Sequence, residues 1–510
     1  MKKLMTLLFH RVVLVALMML VQLVLLLVMV LRFNEYYVYF YWICTALSAV
    51  AVFWIVGNSS NPAYKIAWII PILLFPVFGG LFYLMFGGNR LSRLTRKRMK
   101  WMEDKLSTTL KPDYKAETLR PLGDDAVIQA DYLERMAHCP VYGGTDTEYF
   151  PLGDLCFPRM LEELRKAERY IFLEFFIIHE GVMWNAILEI LAEKAAAGVD
   201  VRVIYDDFGC ILTLPRDYDK QLEEMGIRCC VFNRLVPVLS VRLNNRSHRK
   251  LLIIDGKTGF TGGVNLADEY INQIEKYGHW KDSAILLRGE AVWSMTVMFL
   301  IMWDHIRELR EDYSLCRPAY LPGECPEGTG FVQPYADSPL DGEAVGETVY
   351  LNLISRAHRY VYIMTPYLII DDTMNTALSI AAKSGLDIRI MTPHIPDKKI
   401  VFEVTRAHYE PLLRAGVKIY EYTPGFVHAK SFVVDDEYGV VGSVNMDYRS
   451  LFLHFENGVL LYRTPSVPDI RKDFEKTLLQ CREMTLTDCM EVSIRKRILR
   501  AVLRVFAPMF

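Results

Sequence analysis

A pattern of six residues at fixed spacing occurs twice in this 510-residue chain, and it constrains the fold more than any other feature. Both copies read His-x-Lys-x4-Asp-x6-Gly-[Gly/Ser]-x-Asn, and they begin at His248 and His428. Six matched positions in two places indicate an internal duplication, in which each copy contributes half of one site. The two sets are His248, Lys250, Asp255, Gly262, Gly263 and Asn265, and His428, Lys430, Asp435, Gly442, Ser443 and Asn445.

The spacing within one copy suits the binding of an anion. His248 and Lys250 are two residues apart, so on a strand they project to the same face. The apolar run 251–254 continues as a buried strand, a turn follows, and a second short strand at 259–261 returns to two glycines. Glycine lets a backbone approach a bound anion closely, and Asn265 adds an amide donor beside it. Two facing copies would surround a phosphate with positive donors and place one imidazole on each side.

Both copies resemble the HKD signature of the phospholipase D superfamily. The chemistry that fits this arrangement is a double displacement at a phosphodiester. One histidine attacks phosphorus and forms a covalent phosphohistidine, while the other protonates the leaving alkoxide and then deprotonates the incoming hydroxyl. The expected catalytic residues are His248, Lys250, Asp255, His428, Lys430 and Asp435. Asn265, Asn445, Gly263 and Ser443 are expected to lie around the phosphate and to help bind it.

No metal ion or other cofactor is expected, because two ammonium groups can do the work that a metal clamp does in other phosphotransferases. The sequence also has no Cys/His or carboxylate cluster with the spacing of metal ligands. His248 is predicted to be the nucleophile. The two halves are nearly symmetric in sequence, however, so His428 stays open as the alternative.

Repeated strand and helix patterns predict the fold around the motifs. In the first half, an apolar strand at 169–178 is followed by a helix at 184–197 and a strand at 199–205, and the second half repeats this order from residue 359. The predicted class is α/β, with two duplicated phospholipase D-like units of mixed sheets flanked by helices, behind an N-terminal transmembrane helical region. The predicted segments are a transmembrane region at 1–88, a basic linker at 89–123, a first unit at 124–317, a linker at 318–330, a second unit at 331–490 and a basic amphipathic tail at 491–510.

Three apolar runs, at 12–31, 36–56 and 66–86, have the length of a bilayer and predict membrane helices. Six basic residues follow between Arg90 and Lys100, and the positive-inside rule places them in the cytoplasm. The predicted location is therefore the bacterial plasma membrane, as a multi-pass protein with its catalytic part on the cytoplasmic side. Three spans would put Lys2, Lys3 and Arg11 outside, so the number of spans and the orientation of the N-terminus stay open.

Further stretches are similar to bacterial cardiolipin synthases: the run from Asn61 to Gly87, the segments 262–270 and 280–282, and the segment 442–450 with Glu456 beyond it. The resemblance implies transfer of a phosphatidyl group from one phosphatidylglycerol to another, with release of glycerol. It also implies that Asp282 and Glu456 orient the histidines and support their basicity. Lys281 stands where the family pattern would have arginine, a difference that should matter little.

Composition limits the alternatives. The formal net charge is −2, and there is no long basic stripe with stacking aromatics, so nucleic acid is not expected as a partner. Membrane phospholipids, namely phosphatidylglycerol and anionic headgroups, are the expected partners, and protein partners are unknown. Hydrolysis through the same covalent intermediate is the alternative activity, with phospholipid as the substrate or, less favoured by the charge, nucleic acid. A non-catalytic membrane scaffold is a third alternative, which two complete motifs disfavour.

The ten cysteines show neither zinc spacing nor a disulfide framework, which favours a cytoplasmic catalytic domain. The C-terminal tail has five basic residues among apolar ones. It predicts an amphipathic helix that either lies on the membrane or packs on the catalytic part. Acyl-chain preference, oligomeric state and whether phosphatidylethanolamine can replace one phosphatidylglycerol cannot be predicted from the sequence.

Overall fold

The structure is a computed structural model. It describes residues 20–21, 24, 27–28, 31, 37–58, 61–75, 83, 93–111, 116–235, 245–320 and 328–509. The chain forms two compact units. The first unit comprises residues 1–91, 233–245 and 505–510, and the second comprises 92–232 and 246–504. Both copies of the repeated motif lie in the second unit. The segment boundaries proposed from the sequence stay predictions.

The described part of the first unit includes the helices α1 (Tyr37–Gly57) and α2 (Pro62–Leu74). Asn61 caps α2, since its side chain accepts a hydrogen bond from the backbone N–H of Ala63, and Pro62 occupies the first helical turn. Lys65 donates from Nζ to the carbonyl of Val56 at the end of α1. The cap and this bond fix the turn between the two helices.

Within the described part of the chain, no helix combines the length and the apolar character needed to cross a bilayer. Of the three predicted membrane runs, 12–31 lies mostly outside the described residues and 66–86 lies partly outside them. The second run, 36–56, coincides with α1.

The second unit contains two large mixed sheets, one from each half of the duplication. The first half contributes β1 (Thr145–Phe150), β2 (Tyr170–Phe175), β3 (Asp200–Asp206), β4 (Arg228–Phe232), β5 (Arg246–Ser247), β6 (Lys250–Ile254), β7 (Thr258–Gly262), β8 (His279–Lys281) and β9 (Ala284–Gly289). The second half contributes β10 (Phe331–Asp337), β11 (Tyr360–Met364), β12 (Leu368–Ile369), β13 (Asp387–Pro393), β14 (Lys418–Tyr422), β15 (Gly425–Val427), β16 (Ser431–Val434), β17 (Tyr438–Gly442), β18 (Met446–Asp447), β19 (His454–Tyr462) and β20 (Cys481–Met484). The strands of the two sheets follow the same order in space, β1-β9-β7-β6-β2-β3-β4 and β10-β19-β17-β16-β11-β13-β14, with β20 added at the edge of the second sheet.

Helices flank both sheets. Those up to the end of the first half are α3 (Arg93–Thr109), α4 (Asp124–Met136), α5 (Gly153–Arg165), α6 (Val182–Ala196), α7 (Asp207–Cys210), α8 (Tyr218–Glu224) and α9 (Val292–Arg307). Those of the second half are α10 (Val345–Arg356), α11 (Asp372–Lys383), α12 (Lys399–Ala407), α13 (Tyr409–Ala415), α14 (Tyr448–Phe452), α15 (Ser466–Leu478), α16 (Leu486–Met490) and α17 (Ile494–Val505). The predicted class, two duplicated α/β units with mixed sheets and flanking helices, is confirmed.

Apolar burial fixes the parallel core of each sheet. In the first half, β2 pairs in parallel with β3, β3 pairs in parallel with β4, and β2 pairs antiparallel with β6. All six residues of β2 are buried, as expected for a central strand covered on both faces. Because β6 runs antiparallel to β2, the two residues that precede β6, His248 and Arg249, lie at the carboxyl end of β2. This places the first motif at the end of the sheet where α/β proteins bind ligands.

Two short parallel ladders join the halves. Strand β5 pairs with the start of β19, with Arg246 opposite His454. Strand β15 pairs with β8, with Phe426 opposite Trp280. Each ladder links the residues just before one motif histidine to a strand of the other half, so the two ladders are equivalent under the internal duplication.

Candidate active site

Each motif histidine is positioned by the half of the molecule to which it does not belong. The backbone N–H of His248 donates to the carbonyl of Phe455 at 2.8 Å, as a continuation of the ladder between β5 and β19. The N–H of His428 donates to the carbonyl of Lys281 at 2.7 Å, as a continuation of the ladder between β15 and β8. Both histidines are buried, and they lie in the connections just before β6 and β16 rather than within a strand.

The first histidine contacts a carboxylate of the second half. His248 Nδ1 lies 2.9 Å and 3.0 Å from the two carboxylate oxygens of the fully buried Glu456. The hydroxyls of Ser443 and Ser450 also donate to Glu456, each at 2.5 Å. Because three donors converge on Glu456, its carboxylate fixes the proton of His248 on Nδ1 and leaves Nε2 with its lone pair.

The second histidine contacts a carboxylate of the first half. His428 Nδ1 lies 2.6 Å from Oδ2 of the buried Asp282, and the backbone N–H of Ser283 donates to Oδ1 at 2.8 Å. Gly263 makes room for this carboxylate, since a Cβ at position 263 would lie 2.0 Å from Asp282 Oδ1. The equivalent position in the other half holds Ser443, which reaches its carboxylate by a hydrogen bond instead of leaving space for it.

Two buried lysines supply positive charge beside the imidazoles. Nζ of Lys430 lies 2.8 Å from Nδ1 and 3.1 Å from Nε2 of His428, and each lysine donates to the carbonyl of its own motif histidine. Burial lowers the pKa of Lys250 to about 7 and that of Lys430 to about 8, although Glu456 and Asp282 both favour the charged forms. Two ammonium groups in a low-dielectric site form a strong receptor for a phosphodiester anion.

The electrostatics of the two histidine–carboxylate pairs differ. Burial raises the pKa of Glu456 above its usual range. Burial alone would raise the pKa of Asp282 too, but His428 and Lys430 lower it below its usual value. Burial and the lysines lower the pKa of both histidines, to about 4 for His428 and well below the usual value for His248. Asp282 is therefore the stronger support for a positive charge on its histidine.

The two motif asparagines have different partners. Asn265 takes part in the fold, because its Oδ1 accepts from the N–H of Ile177 at 3.0 Å and one N–H of its Nδ2 donates to the hydroxyl of Tyr270 at 2.8 Å. Oδ1 of Asn445 is buried without a hydrogen-bond partner, and the backbone N–H of Asn445 donates to Ser450 Oγ at 2.7 Å. Asn265 therefore connects two segments of the first half and keeps a second amide N–H, whereas the amide oxygen of Asn445 is left for another donor.

The motif aspartates lie away from the imidazoles. Asp255 follows β6 at the end opposite to His248, and its carboxylate accepts hydrogen bonds from the N–H groups of Glu168, Arg169 and Tyr170 at 2.8–2.9 Å. Asp435 does the same for the three residues from His358 to Tyr360. Both adopt positive φ, 54° and 57°. The catalytic role predicted for them does not fit this position, since each carboxylate closes a turn and holds the start of the neighbouring strand.

Replacing Asp255 with alanine should therefore affect stability and not chemistry. Loss of the carboxylate that accepts from three backbone N–H groups, and of a residue that tolerates positive φ, should lower the free energy of unfolding by about 2 kcal/mol. Guanidinium unfolding of the solubilised protein measures this change. Asn at position 255 keeps one acceptor oxygen and should cost less. A large loss of turnover per folded molecule at unchanged stability would restore the catalytic role.

Two residues of the site were missed by the sequence reasoning. Ser450 donates to Glu456, and His454 lies with its Nδ1 3.8 Å from the same carboxylate and its ring 5.7 Å from the ring of His248. Within the described residues, the group able to share a metal ion is His248, His454 and Glu456, whose ligand atoms lie within 4.8 Å of one another. The two-residue offset between His454 and Glu456, which puts both on one face of β19, is the signal that could have revealed the third histidine.

Comparison with known proteins agrees with this arrangement. The model of the family described as "Cardiolipin synthase, PLD-like domain" matches residues 160–284 and 350–478, which are the two halves. A cardiolipin synthase of Geobacillus sp. (strain WCH70) is 35% identical over 92% of this chain and 93% of its own length. The chain belongs to the cardiolipin synthase family. This is a family of phosphatidyltransferases within the phospholipase D superfamily, so the resemblance seen in the motifs is confirmed.

Further relatives fit the same family. A model described as "Phospholipase D-nuclease N-terminal" matches residues 46–88. An uncharacterized protein of Streptococcus mutans is 44% identical over 90% of this chain and 99% of its own. The solved phosphatidylserine synthase of Haemophilus influenzae Rd KW20 superposes with a TM-score of 0.54 over 71% of this chain and 93% of that chain. At 15% identity the last comparison shows the fold alone.

Proposed function

We propose that this member of the cardiolipin synthase family transfers a phosphatidyl group from one phosphatidylglycerol to a second one, giving cardiolipin and glycerol. The observation that carries the proposal is the crossed pair of histidine–carboxylate contacts, His248–Glu456 and His428–Asp282, around two buried lysines. Each imidazole thus has a carboxylate from the other half as its partner. Two such imidazoles suit a reaction in which one histidine forms and breaks the bond to phosphorus and the other carries a proton in both steps.

In the first step, Nε2 of His248 attacks phosphorus and the bond from phosphorus to the glycerol oxygen breaks. His428, as imidazolium, gives its proton to that oxygen, and free glycerol leaves. The assignment of His248 as nucleophile is supported by the raised pKa of Glu456 and the lowered pKa of Asp282. An ionised Asp282 favours the charged imidazole that an acid needs, whereas a nucleophile must be neutral.

In the second step, neutral His428 takes the proton of a glycerol hydroxyl of the second phosphatidylglycerol. The resulting oxygen attacks phosphorus, the bond from phosphorus to His248 breaks, and both histidines return to their starting forms. Lys250 and Lys430 stabilise the charge that builds on the phosphoryl oxygens in both steps. The free amide oxygen of Asn445 suits a hydrogen bond from a substrate hydroxyl near the second motif.

The proposed location is a bacterial plasma membrane, with the region 1–88 in the bilayer and the second unit on the cytoplasmic side. Support for it comes from the three apolar runs and from the basic cluster between Arg90 and Lys100.

The test is to reconstitute the full chain in liposomes with labelled phosphatidylglycerol as the only phospholipid substrate and to resolve the products. Cardiolipin and glycerol in equal amounts are the expected result. Phosphatidic acid as the sole product would assign the protein to the hydrolases, in which water intercepts the same intermediate. Turnover only after addition of phosphatidylethanolamine would change the identity of the second lipid and leave the intermediate in place.

The pH dependence of kcat/KM follows from the lysines. The free protein binds a phosphodiester best while both ammonium groups are charged, and their pKa values are lowered to about 7 and about 8. A lysine with a lowered pKa loses its charge as the pH rises through that value, so each lysine should lower kcat/KM by about a further tenfold per pH unit, above about pH 7 for Lys250 and above about pH 8 for Lys430. His428 adds an earlier decline, because it must be charged to expel glycerol and burial and Lys430 lower its pKa to about 4, so kcat/KM should already decrease as the pH rises above about 4 and should decrease more steeply where the lysines lose their charge. The pKa of His248 is lowered well below its usual value by burial and the lysines, which keeps this histidine neutral for attack.

The measurement is the initial rate at low phosphatidylglycerol between pH 5 and 9.5. In Lys250→Arg the charge at position 250 is retained at all these pH values, so the steeper fall of kcat/KM should begin at the higher pKa of Lys430, about 8. The shape of the profile is informative even if the absolute rate of this variant is low. A profile that is flat through pH 9 would contradict the role given to the lysines.

A further inference from the structure

The C-terminal helix α17 presents an apolar face to the outside. Ile494, Ile498 and Val502 recur every four residues, so they share one face of the helix. Their exposed fractions are 76%, 61% and 49%. Large apolar side chains in a continuous exposed row are unusual on a folded protein and indicate a surface that is covered by another phase or partner.

The opposite face of α17 is attached to the second unit by charge. Arg500 is buried, and its Nε donates to Oε2 of Glu403 on α12 at 2.8 Å. Lys496, one helical turn earlier, places Nζ 3.4 Å from the other oxygen of Glu403. The polar side therefore docks on the protein and the apolar side faces away from it, which unites the two alternatives that the sequence leaves open for the tail.

Exposed cations flank the apolar row. Arg495 lies on one side of it, and Arg497 and Arg504 lie on the other, and all three are exposed. An apolar row between arginines matches the layers of an anionic bilayer surface, where acyl chains lie beneath negatively charged phosphates. A protein partner would need an acidic groove of the same shape, whereas a lipid surface meets both requirements at once.

Other exposed apolar side chains lie at the same end of the sheets as the histidines. Phe208 and Leu212 follow β3 at its carboxyl end and are 51% and 76% exposed, and the guanidinium of Arg246 lies 5.3 Å from the ring of Phe208. Ile400 on α12 follows β13 in the equivalent place of the second half and is 57% exposed. The two halves thus present apolar residues beside the candidate active site.

Helix α12 links the tail to that site. Its Thr405 accepts a hydrogen bond from the N–H of Leu368 in β12 at 3.3 Å, and β12 pairs in parallel with β18, which begins directly after Asn445. A chain of direct contacts, from α17 to Glu403 on α12, from α12 to β12 and from β12 to β18, therefore connects the tail to the segment beside Asn445.

We propose that α17, held by the Arg500–Glu403 and Lys496–Glu403 ion pairs, lies on the surface of an anionic bilayer together with Phe208, Leu212 and Ile400. This contact sets the mouth of the active site at the lipid surface, where the phosphate of a lipid substrate enters. The inference goes beyond the proposed function, because binding of the tail to lipid does not depend on turnover and can be measured without it.

Hydrogen–deuterium exchange of the full-length protein tests the contact. The protein is placed in nanodiscs of phosphatidylcholine alone or of phosphatidylcholine with phosphatidylglycerol, and exchange of backbone amides 496–504 is followed. These amides should exchange about tenfold more slowly in the anionic discs, because basic residues bind an anionic surface more strongly than a neutral one. Equal exchange in both discs and in detergent would overturn the proposal.

The double variant Ile498→Glu with Val502→Glu should lose this protection. Leu315→Glu is the matched control, since Leu315 is 74% exposed and its carbonyl accepts from Arg169 at the amino end of β2, at the opposite end of the sheet from the histidines. Exchange of β2 and β11 reports whether each variant is folded. Unchanged protection of the tail in the folded double variant would also overturn the proposal.

Arg495→Gln with Arg497→Gln separates charge from apolar burial. This variant keeps the apolar row and should lose the difference between anionic and neutral discs. If it retains the full difference, the anionic surface is not the partner. In all variants the lipid-transfer rate is measured separately, so that a failure of the transferase assay with normal protection of the tail would count against the proposed function and leave the membrane contact standing.

Discussion

Replacing His248 with alanine should abolish both cardiolipin formation and covalent labelling of the protein. The loss should be about 10⁴-fold or more, because residues that act as one catalytic unit fail together when the nucleophile is removed. The measurement is mass spectrometry of the protein after rapid mixing with phosphatidylglycerol and an alkaline quench, since a phosphorus–nitrogen bond to histidine breaks in acid. The wild-type peptide that contains His248 should gain the mass of a phosphatidyl group.

The matched variant His428→Ala should behave differently. Without its acid it cannot expel glycerol, so phosphatidylglycerol should give little adduct. A phosphatidyl ester of p-nitrophenol leaves without a proton, and with it the His428→Ala protein should form the adduct at His248 and then hold it, because no base activates the second alcohol. An adduct at His428 in the His248→Ala protein would reverse the assignment of the two histidines.

The second large effect should come from replacing the two carboxylates, each of which should impair the histidine of the other half. Glu456→Gln puts an amide N–H₂ where Ser443, Ser450 and His248 all donate. An amide that donates to Nδ1 of His248 moves the imidazole proton to Nε2, the atom that must attack. Loss of tautomer control of this kind costs about 10⁴-fold in serine proteases, and a similar loss is expected here.

Asp282→Asn should slow the other half of the reaction. It removes the carboxylate that supports charge on His428, so expulsion of glycerol should be slow while reaction of the p-nitrophenyl ester at His248 is largely retained. Glu456→Gln should slow reaction with both substrates. The measurement compares the rates of both variants with phosphatidylglycerol and with the p-nitrophenyl ester, and so shows which carboxylate serves which histidine. If Asp282→Asn instead abolished labelling at His248, each carboxylate would act within its own half, contrary to the geometry.

Much of the fold could be predicted because the physical signals are local. Apolar strands such as β2 and β3, and the glycine that ends α6, are visible in a short window of sequence, and the duplication gives each assignment an independent second occurrence. The observed strand ends differ from the predicted ones by one to three residues, because they depend on pairing with strands that are distant in the sequence. The turn at Asp255 could be predicted from composition, but the three backbone N–H groups that donate to its carboxylate belong to a segment some 85 residues earlier in the chain.

The histidines, lysines and carboxylates of the site were predictable, whereas their connections and the residues Ser450 and His454 were not. Both histidines and both lysines could be named from the motif, and Asp282 and Glu456 from the family resemblance. Which carboxylate faces which histidine depends on the short ladders β5–β19 and β8–β15, which pair only two and three residues and so have no periodicity to detect. The different environments of Asn265 and Asn445 were hidden for the same reason, because their motif positions are identical.

Each motif histidine contacts a carboxylate of the other half, and this arrangement bears on how a duplicated chain can evolve. A single unit of this kind carries a histidine with no carboxylate and a carboxylate with no histidine, so alone it is inert, and it completes a site only against a second copy. Joining two copies in one polypeptide makes that pairing independent of concentration and lets the copies diverge. Gly263 beside Asp282 and Ser443 beside Glu456 are two different ways to position the carboxylate that supports an imidazole, and this fused pair holds one of each.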